Sequence, residues 1–133
     1  MIPNISNKTL QDLEFATVLQ HVAAHCISGL GKERIFETTP ITYKKGLFKE
    51  LNLVNEYLSS FQSENRVPNH GFDNVTESVK RLKIENSFIE TEAFLKIAAT
   101  SLTVNEHLTF FNKFKIQFPT FFDLIKKFSK YFW

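Results

Sequence analysis

His21 and His25 stand one helical turn apart with Cys26 beside the second, and all three are ordinary ligands of a transition metal. A zincin-type pair would carry Glu directly after the first His as general base, but Val22 stands there. At about 100° per residue, both imidazoles fall roughly 90–130° from the apolar stripe Val18, Leu19, Val22, Ala23 and Cys26. The thiol belongs to that stripe and the imidazoles do not. The expectation is a buried structural thiol with two surface histidines, and no metal site.

Gly29-Leu30-Gly31-Lys32 raises a second chemistry, phosphate binding. A P-loop reads G-x-x-x-x-G-K-[ST] after a strand; its N–H groups and Lys hold phosphates, and its hydroxyl ligates magnesium. Placing Gly31-Lys32 at the end of that motif puts Cys26 at its first Gly and Glu33 at its Ser/Thr. A carboxylate at that point repels phosphate, and the segment before it has helical rather than strand periodicity. The glycines read better as a corner between two helices. Gly29 would supply a left-handed backbone, and Glu33 sits favourably in the first turn that follows.

No spacing in the chain suggests a Ser/His/Asp or Cys/His arrangement. Glu85, Glu90 and Glu92 cluster near the start of a long helical pattern, where the helix dipole favours acids. Catalysis within these residues is not expected, and the chain is read as holding no cofactor.

The end of the chain, FFNKFKIQFPTFFDLIKKFSKYFW, interleaves lysines with aromatic rings. Three readings are open. Lys113, Lys115, Lys126, Lys127 and Lys130 could meet a nucleic-acid backbone while rings stack on bases. The same segment could lie on an anionic membrane surface. Or the rings are core residues, and the lysines line the solvated face with their stems on apolar surface. The helical spacing of the rings favours the last.

The elements that would position these groups come from composition and periodicity. With 133 residues, 43% hydrophobic and 23% charged, the chain has the makings of one globular domain with a single core. Four Gly and four Pro are few turn makers, which suits long helices. A lone cysteine excludes an internal disulfide and fits a reducing, cytoplasmic setting. The first residues lack the basic and apolar regions of a signal peptide, and no apolar run approaches the roughly 18 residues of a membrane span.

The first helix is expected to run to about Cys26, and the second from an N-cap at Ser28 to a stop at Pro40. The third covers roughly 42–64, with Leu47, Leu51, Val54, Leu58 and Phe61 as its stripe. The run Asn65 to Gly71 is a loop, after which Asp73 or Asn74 caps a short helix using Val75, Val79 and Leu82. The longest helix runs from about Thr91 towards Gln117. Phe94, Ile97, Ser101, Val104, Leu108 and Phe111 form its seam, and Leu95, Ala98 and Leu102 a second strip, which predicts the spine of a bundle. Pro119 opens the last helix, whose apolar face is Phe121, Leu124, Ile125, Phe128 and Phe132. The class is all-α: an irregular bundle of about six helices, one of them long and central. Because the apolar pattern is still running at Trp133 with no C-cap, the domain 1–133 is expected to be part of a larger multidomain protein.

Several segments, in order, carry a family likeness: Thr9-Leu10, Leu13-Glu14-Phe15, the run Cys26 to Glu33, and Thr39-Pro40. Asn55-Glu56-Tyr57-Leu58, the run Pro68 to Asp73, and Leu82-Lys83-Ile84-Glu85-Asn86 follow. In this order and spacing the chain resembles, over about residues 8 to 118, the N-terminus of the type-2 MutS proteins, bacterial paralogues of mismatch-repair MutS.

That resemblance implies the start of a core or lever domain, with a clamp, an ABC-type ATPase domain and usually an Smr nuclease domain further along. The family dimerises through its ATPase region and acts on branched DNA and recombination intermediates, and a role at stalled ribosomes is attributed to it. No ATPase or Smr motif occurs here, so no catalytic residue carries over. ATP and magnesium are expected only in a domain this chain lacks, and its partners are the remaining domains of its parent chain. The function implied is a non-catalytic helical scaffold that links clamp and ATPase movements through the Phe94–Phe111 seam and the Leu47–Phe61 stripe. The alternative is a stand-alone interaction module that docks a protein partner through its basic aromatic last helix.

Overall fold

The computed structural model describes residues 5–129, and these are helical or in turns between helices. Seven helices occur among them: α1 (Asn7–Asp12), α2 (Phe15–Ala24), α3 (Gly29–Phe36), α4 (Lys44–Ser60), α5 (Thr76–Arg81), α6 (Thr91–Lys113) and α7 (Pro119–Ser129). The all-α class is as expected, with α6 the longest element.

The additional helix arises at the start. The segment expected to be one helix up to Cys26 breaks at Glu14, which adopts φ 49° in the left-handed region. Leu13 and Glu14 bond back to the carbonyls of Thr9 and Gln11, closing α1 before α2 begins. A non-glycine residue seldom takes this conformation, so apolar spacing alone does not reveal the break.

Capping chemistry accounts for other ends. The Ser28 hydroxyl accepts the N–H of Gly31 at 3.0 Å and so caps α3. No glycine among the described residues has positive φ, so Gly29 does not supply the left-handed backbone expected of it. Gly31 matters through proximity instead, since a Cβ there would lie 3.1 Å from the Ser28 oxygen and 3.6 Å from the Cys26 Cβ. Asn74 Oδ1 accepts from the Thr76 N–H at 3.1 Å at the start of α5. Helix α6 ends at Lys113, short of the expected Gln117. The chain turns over 114–117 and α7 begins at Pro119, whose absent N–H costs nothing there.

The chain divides into two compact units. The first joins Met1–Thr42 to His70–Thr100; in it α1 packs on α2 and α2 on α3, and Ala23 is buried. The second joins Tyr43–Asn69 to Ser101–Trp133; in it α4 packs on α7, and Phe111, Phe118 and Ser60 are buried.

Burial corrects the expected faces. Leu47, Leu51, Val54, Leu58 and Phe61 of α4 are 42–56% exposed. The face of α4 that is covered carries Leu53, Glu56, Tyr57 and Ser60 instead. In the α6 seam Phe94 and Ser101 are exposed, Ile97, Val104 and Leu108 are half-buried, and Phe111 is buried. Leu95 and Leu102 of the second strip are exposed as well. The apolar residues of α6 are spread around the helix, and aromatic rings concentrate its burial at the C-terminal end.

Candidate nucleic-acid interface

The second unit is built around rings. Phe111 stacks on Phe121 with centroids 4.6 Å apart and planes within 4°, and meets Phe118 edge-on at 5.8 Å. Phe110 touches both Phe114 (4.9 Å) and Phe118 (5.4 Å). These contacts tie the last turn of α6 to the corner and the first turn of α7. Pairs of this geometry are each worth roughly 0.5–1.5 kcal/mol beyond the area they bury.

Polar groups fix the same corner from α4. Phe118 occupies the position before α7 where a Ser, Thr, Asp or Asn normally caps, and its side chain has no acceptor to offer. Glu56 fills that role across 64 residues. Its carboxylate accepts the Thr120 N–H at 2.8 Å and the Phe121 N–H at 3.1 Å. Gln117 adds a second clamp, accepting from Asn65 Nδ2 and donating to the Ser63 hydroxyl, both at 3.0 Å. Sequence inspection missed Glu56 and Gln117. The signal available was Phe118-Pro119 itself, a helix start with no local cap.

On this scaffold sit the lysines singled out above. Lys126 lies over the Phe122 ring at 4.4 Å, and Lys115 reaches the same ring at 5.9 Å. Lys113 lies over Phe114 at 5.1 Å. The fold therefore brings Lys115 and Lys126 together on one aromatic platform and seats Lys113 on another. Lys126 also pairs with Asp123 at 3.3 Å. Lys127 is exposed in the last turn of α7, where the helix dipole favours a cation. Lys130 and Phe132 lie outside the described residues. A mainly apolar groove of about 460 Å³ includes Lys113 in its lining, together with Pro68, Leu102, Phe110 and Phe114 and the polar Asn105, Glu106 and Thr109. Over the whole second unit nine Lys and Arg face five Asp and Glu, a net charge of +4, whereas the first unit carries −2.

The other candidates fall elsewhere. His21 and His25 are exposed on and just after α2, and Cys26 is half-buried with its thiol directed at the Val22 carbonyl, 3.8 Å away. Among the described residues no three His, Cys, Asp or Glu side chains gather as a metal site would require. The run Gly29 to Lys32 forms the first turn of α3, preceded by helix α2 rather than a strand. Glu92 is engaged by Lys96 at 2.8 Å. No described helix is long and apolar enough to cross a membrane.

No family model matches the chain, and no solved structure matches it. It is similar to the protein named Endonuclease MutS2 of Caldanaerobacter subterraneus subsp. tengcongensis, 27% identical over 128 residues, which is 92% of this chain and 15% of that relative. It is also similar to Endonuclease MutS2 of Bacillus velezensis, 28% identical over 80 residues, which is 60% of this chain and 10% of that relative. The chain thus spans about one seventh or less of the curated relatives it matches. This supports, at low identity, a relation to one region of MutS2.

Proposed function

We propose that this chain is a helical scaffold segment of a MutS-type DNA-processing protein, non-catalytic in itself, which passes movement between a DNA clamp and an ATPase domain. The observation that carries the reading is the likeness to two Endonuclease MutS2 proteins, extending over 92% of this chain in one of them. The aromatic corner and the Glu56 cap give it a mechanical basis, because a shift of α4 must carry α7 with it. ATP and magnesium bind in a domain outside this chain, and DNA is engaged through the parent protein, which works in the bacterial cytoplasm. The test is the reading frame beyond Trp133. Coding that continues into an ATPase domain supports the scaffold, while a stop codon there sinks it in favour of a stand-alone interaction module.

A second reading has its own observation. The paired lysines on Phe122 and the +4 balance of the second unit favour direct contact with a nucleic-acid backbone. Binding to a branched DNA probe falls steeply with salt in this reading, and neutralising Lys113, Lys115, Lys126, Lys127 and Lys130 abolishes it. Equal binding by the neutralised variant removes the contact from this surface.

A further inference from the structure

The corner between α6 and α7 carries at its tip the most open large apolar side chain among the described residues: Ile116 is 93% exposed. A closed turn holds it there. The Gln117 and Phe118 N–H groups both donate to the Phe114 carbonyl at 3.0 Å, with Lys115 and Ile116 at the apex of the loop so formed. Behind the apex, the Gln117 side chain is tied to Asn65 and Ser63, and Phe118 is fully buried. Ile is itself stiff at χ1 because it branches at Cβ. The result is a rigid aliphatic knob on a braced corner, and the fold makes almost no use of it.

The surroundings narrow what the knob can meet. Lys115 precedes it and reaches the Phe122 ring that Lys126 covers, while Lys113 lies over Phe114 at the start of the turn. The rings of the corner are engaged already. Phe114 and Phe122 carry lysines, and Phe110, Phe111, Phe118 and Phe121 pack on one another. Ile116 is therefore the apolar group of this corner left to touch a base. An exposed aliphatic side chain among phosphate-binding cations is how proteins wedge open a base step from the minor groove. Such unstacking costs least where the stack is already interrupted. Building on the reading of direct nucleic-acid contact, we propose that Ile116 is a wedge that recognises duplex DNA at an interrupted base step. Lys113, Lys115 and Lys126 hold the phosphates on either side. Phe88, 80% exposed, is the next most open side chain, but it lies in the unit of net charge −2 and lacks that cationic frame.

Fluorescence anisotropy of the chain at low salt, with an intact duplex and the same duplex carrying one nick, tests this. The nicked duplex should bind roughly tenfold more tightly. Ile116→Ala should remove that preference while leaving affinity for the intact duplex and the helical circular dichroism as in the wild type. Ile116→Leu, which restores an aliphatic wedge, and Phe88→Ala should both keep it. A 2-aminopurine beside the nick should brighten when the wild type binds and stay dim with Ile116→Ala. Equal affinity of the wild type for the two duplexes overturns the wedge and leaves backbone contact standing. So does a preference that survives Ile116→Ala, or one removed instead by Phe128→Ala on the exposed ring of α7. A chain that binds neither duplex overturns the wedge and the contact together.

Discussion

The carboxylate of Glu56, on the flank of α4, accepts the Thr120 N–H at 2.8 Å and the Phe121 N–H at 3.1 Å. It closes the N-terminus of a helix that begins 63 residues later in the chain. Two orphan donors are satisfied by one anion placed where the α7 dipole is positive, so removing it leaves both donors half-buried and unpaired. Glu56→Ala is expected to lower unfolding stability by about 2 kcal/mol. Glu56→Gln, which keeps an acceptor and loses the charge, should cost roughly half as much. Denaturant melts of the three proteins check this, and equal stability of wild type and alanine variant refutes the cap.

Phe111 is 3% exposed and touches Phe110, Phe118 and Phe121. Truncating a buried ring of this kind costs about 3–5 kcal/mol, whereas Phe→Leu retains much of the volume. Phe111→Ala should therefore unfold the second unit near room temperature, and Phe111→Leu should leave it folded with a lower midpoint. The exposed Phe94, seven residues short of Ser101 on the same seam, should tolerate alanine with a loss within about 0.5 kcal/mol.

Among the described residues two hold positive φ, Glu14 at 49° and Asn86 at 60°. The first is a poor type for that conformation and the second a tolerated one. Glu14→Gly is expected to stabilise the chain by about 0.5–1 kcal/mol, and Asn86→Ala to destabilise it by about 1 kcal/mol. Opposite signs in thermal melts are the readout. Two losses of similar size would contradict the assignment of strain to Glu14.

The Glu92 carboxyl is held below its ordinary range, first by the hydrogen bond from Lys96 and then by the lysine's charge. Lys96 is correspondingly raised by the same bond and charge, with a smaller contribution from Asp73. The pair supports α6 at neutral pH. That support is lost on the acid side as pH falls through the folded Glu92 value, and on the alkaline side as pH rises through the folded Lys96 value. An NMR titration should find Glu92 depressed, and returned to the usual carboxylate range by Lys96→Gln or by high salt. A Glu92 value untouched by Lys96→Gln would show that the pair does not form in solution.

The helical class, Ser28 as a cap and Pro119 as a helix start were legible because each depends on the chemistry of neighbours in sequence. The break at Glu14 was not, since a backbone of positive φ leaves no trace in apolar spacing. Nor was the choice of face on α4. Periodicity locates Leu47, Leu51, Val54, Leu58 and Phe61 on one stripe, but does not say that Glu56 is what meets α7 or that Ser60 is buried. Of the candidate site, the basic residues could be named from sequence, but their seating could not. That Lys115 and Lys126 meet on Phe122 depends on how sharply the chain turns between α6 and α7.

The Glu56 cap also sets an order of events during synthesis. The groups it joins are 64 and 65 positions away, and the Gln117 clamp spans 52 and 54. At about 5–20 residues per second, α4 leaves the ribosome roughly 3–13 s before the helix it is to hold. For that interval the face of α4 that carries Leu53, Tyr57 and Ser60 stands open on a nascent chain whose second unit cannot close. Synonymous codons between Phe61 and Pro119 therefore become a determinant of yield: slow ones lengthen the exposure, and fast ones shorten it.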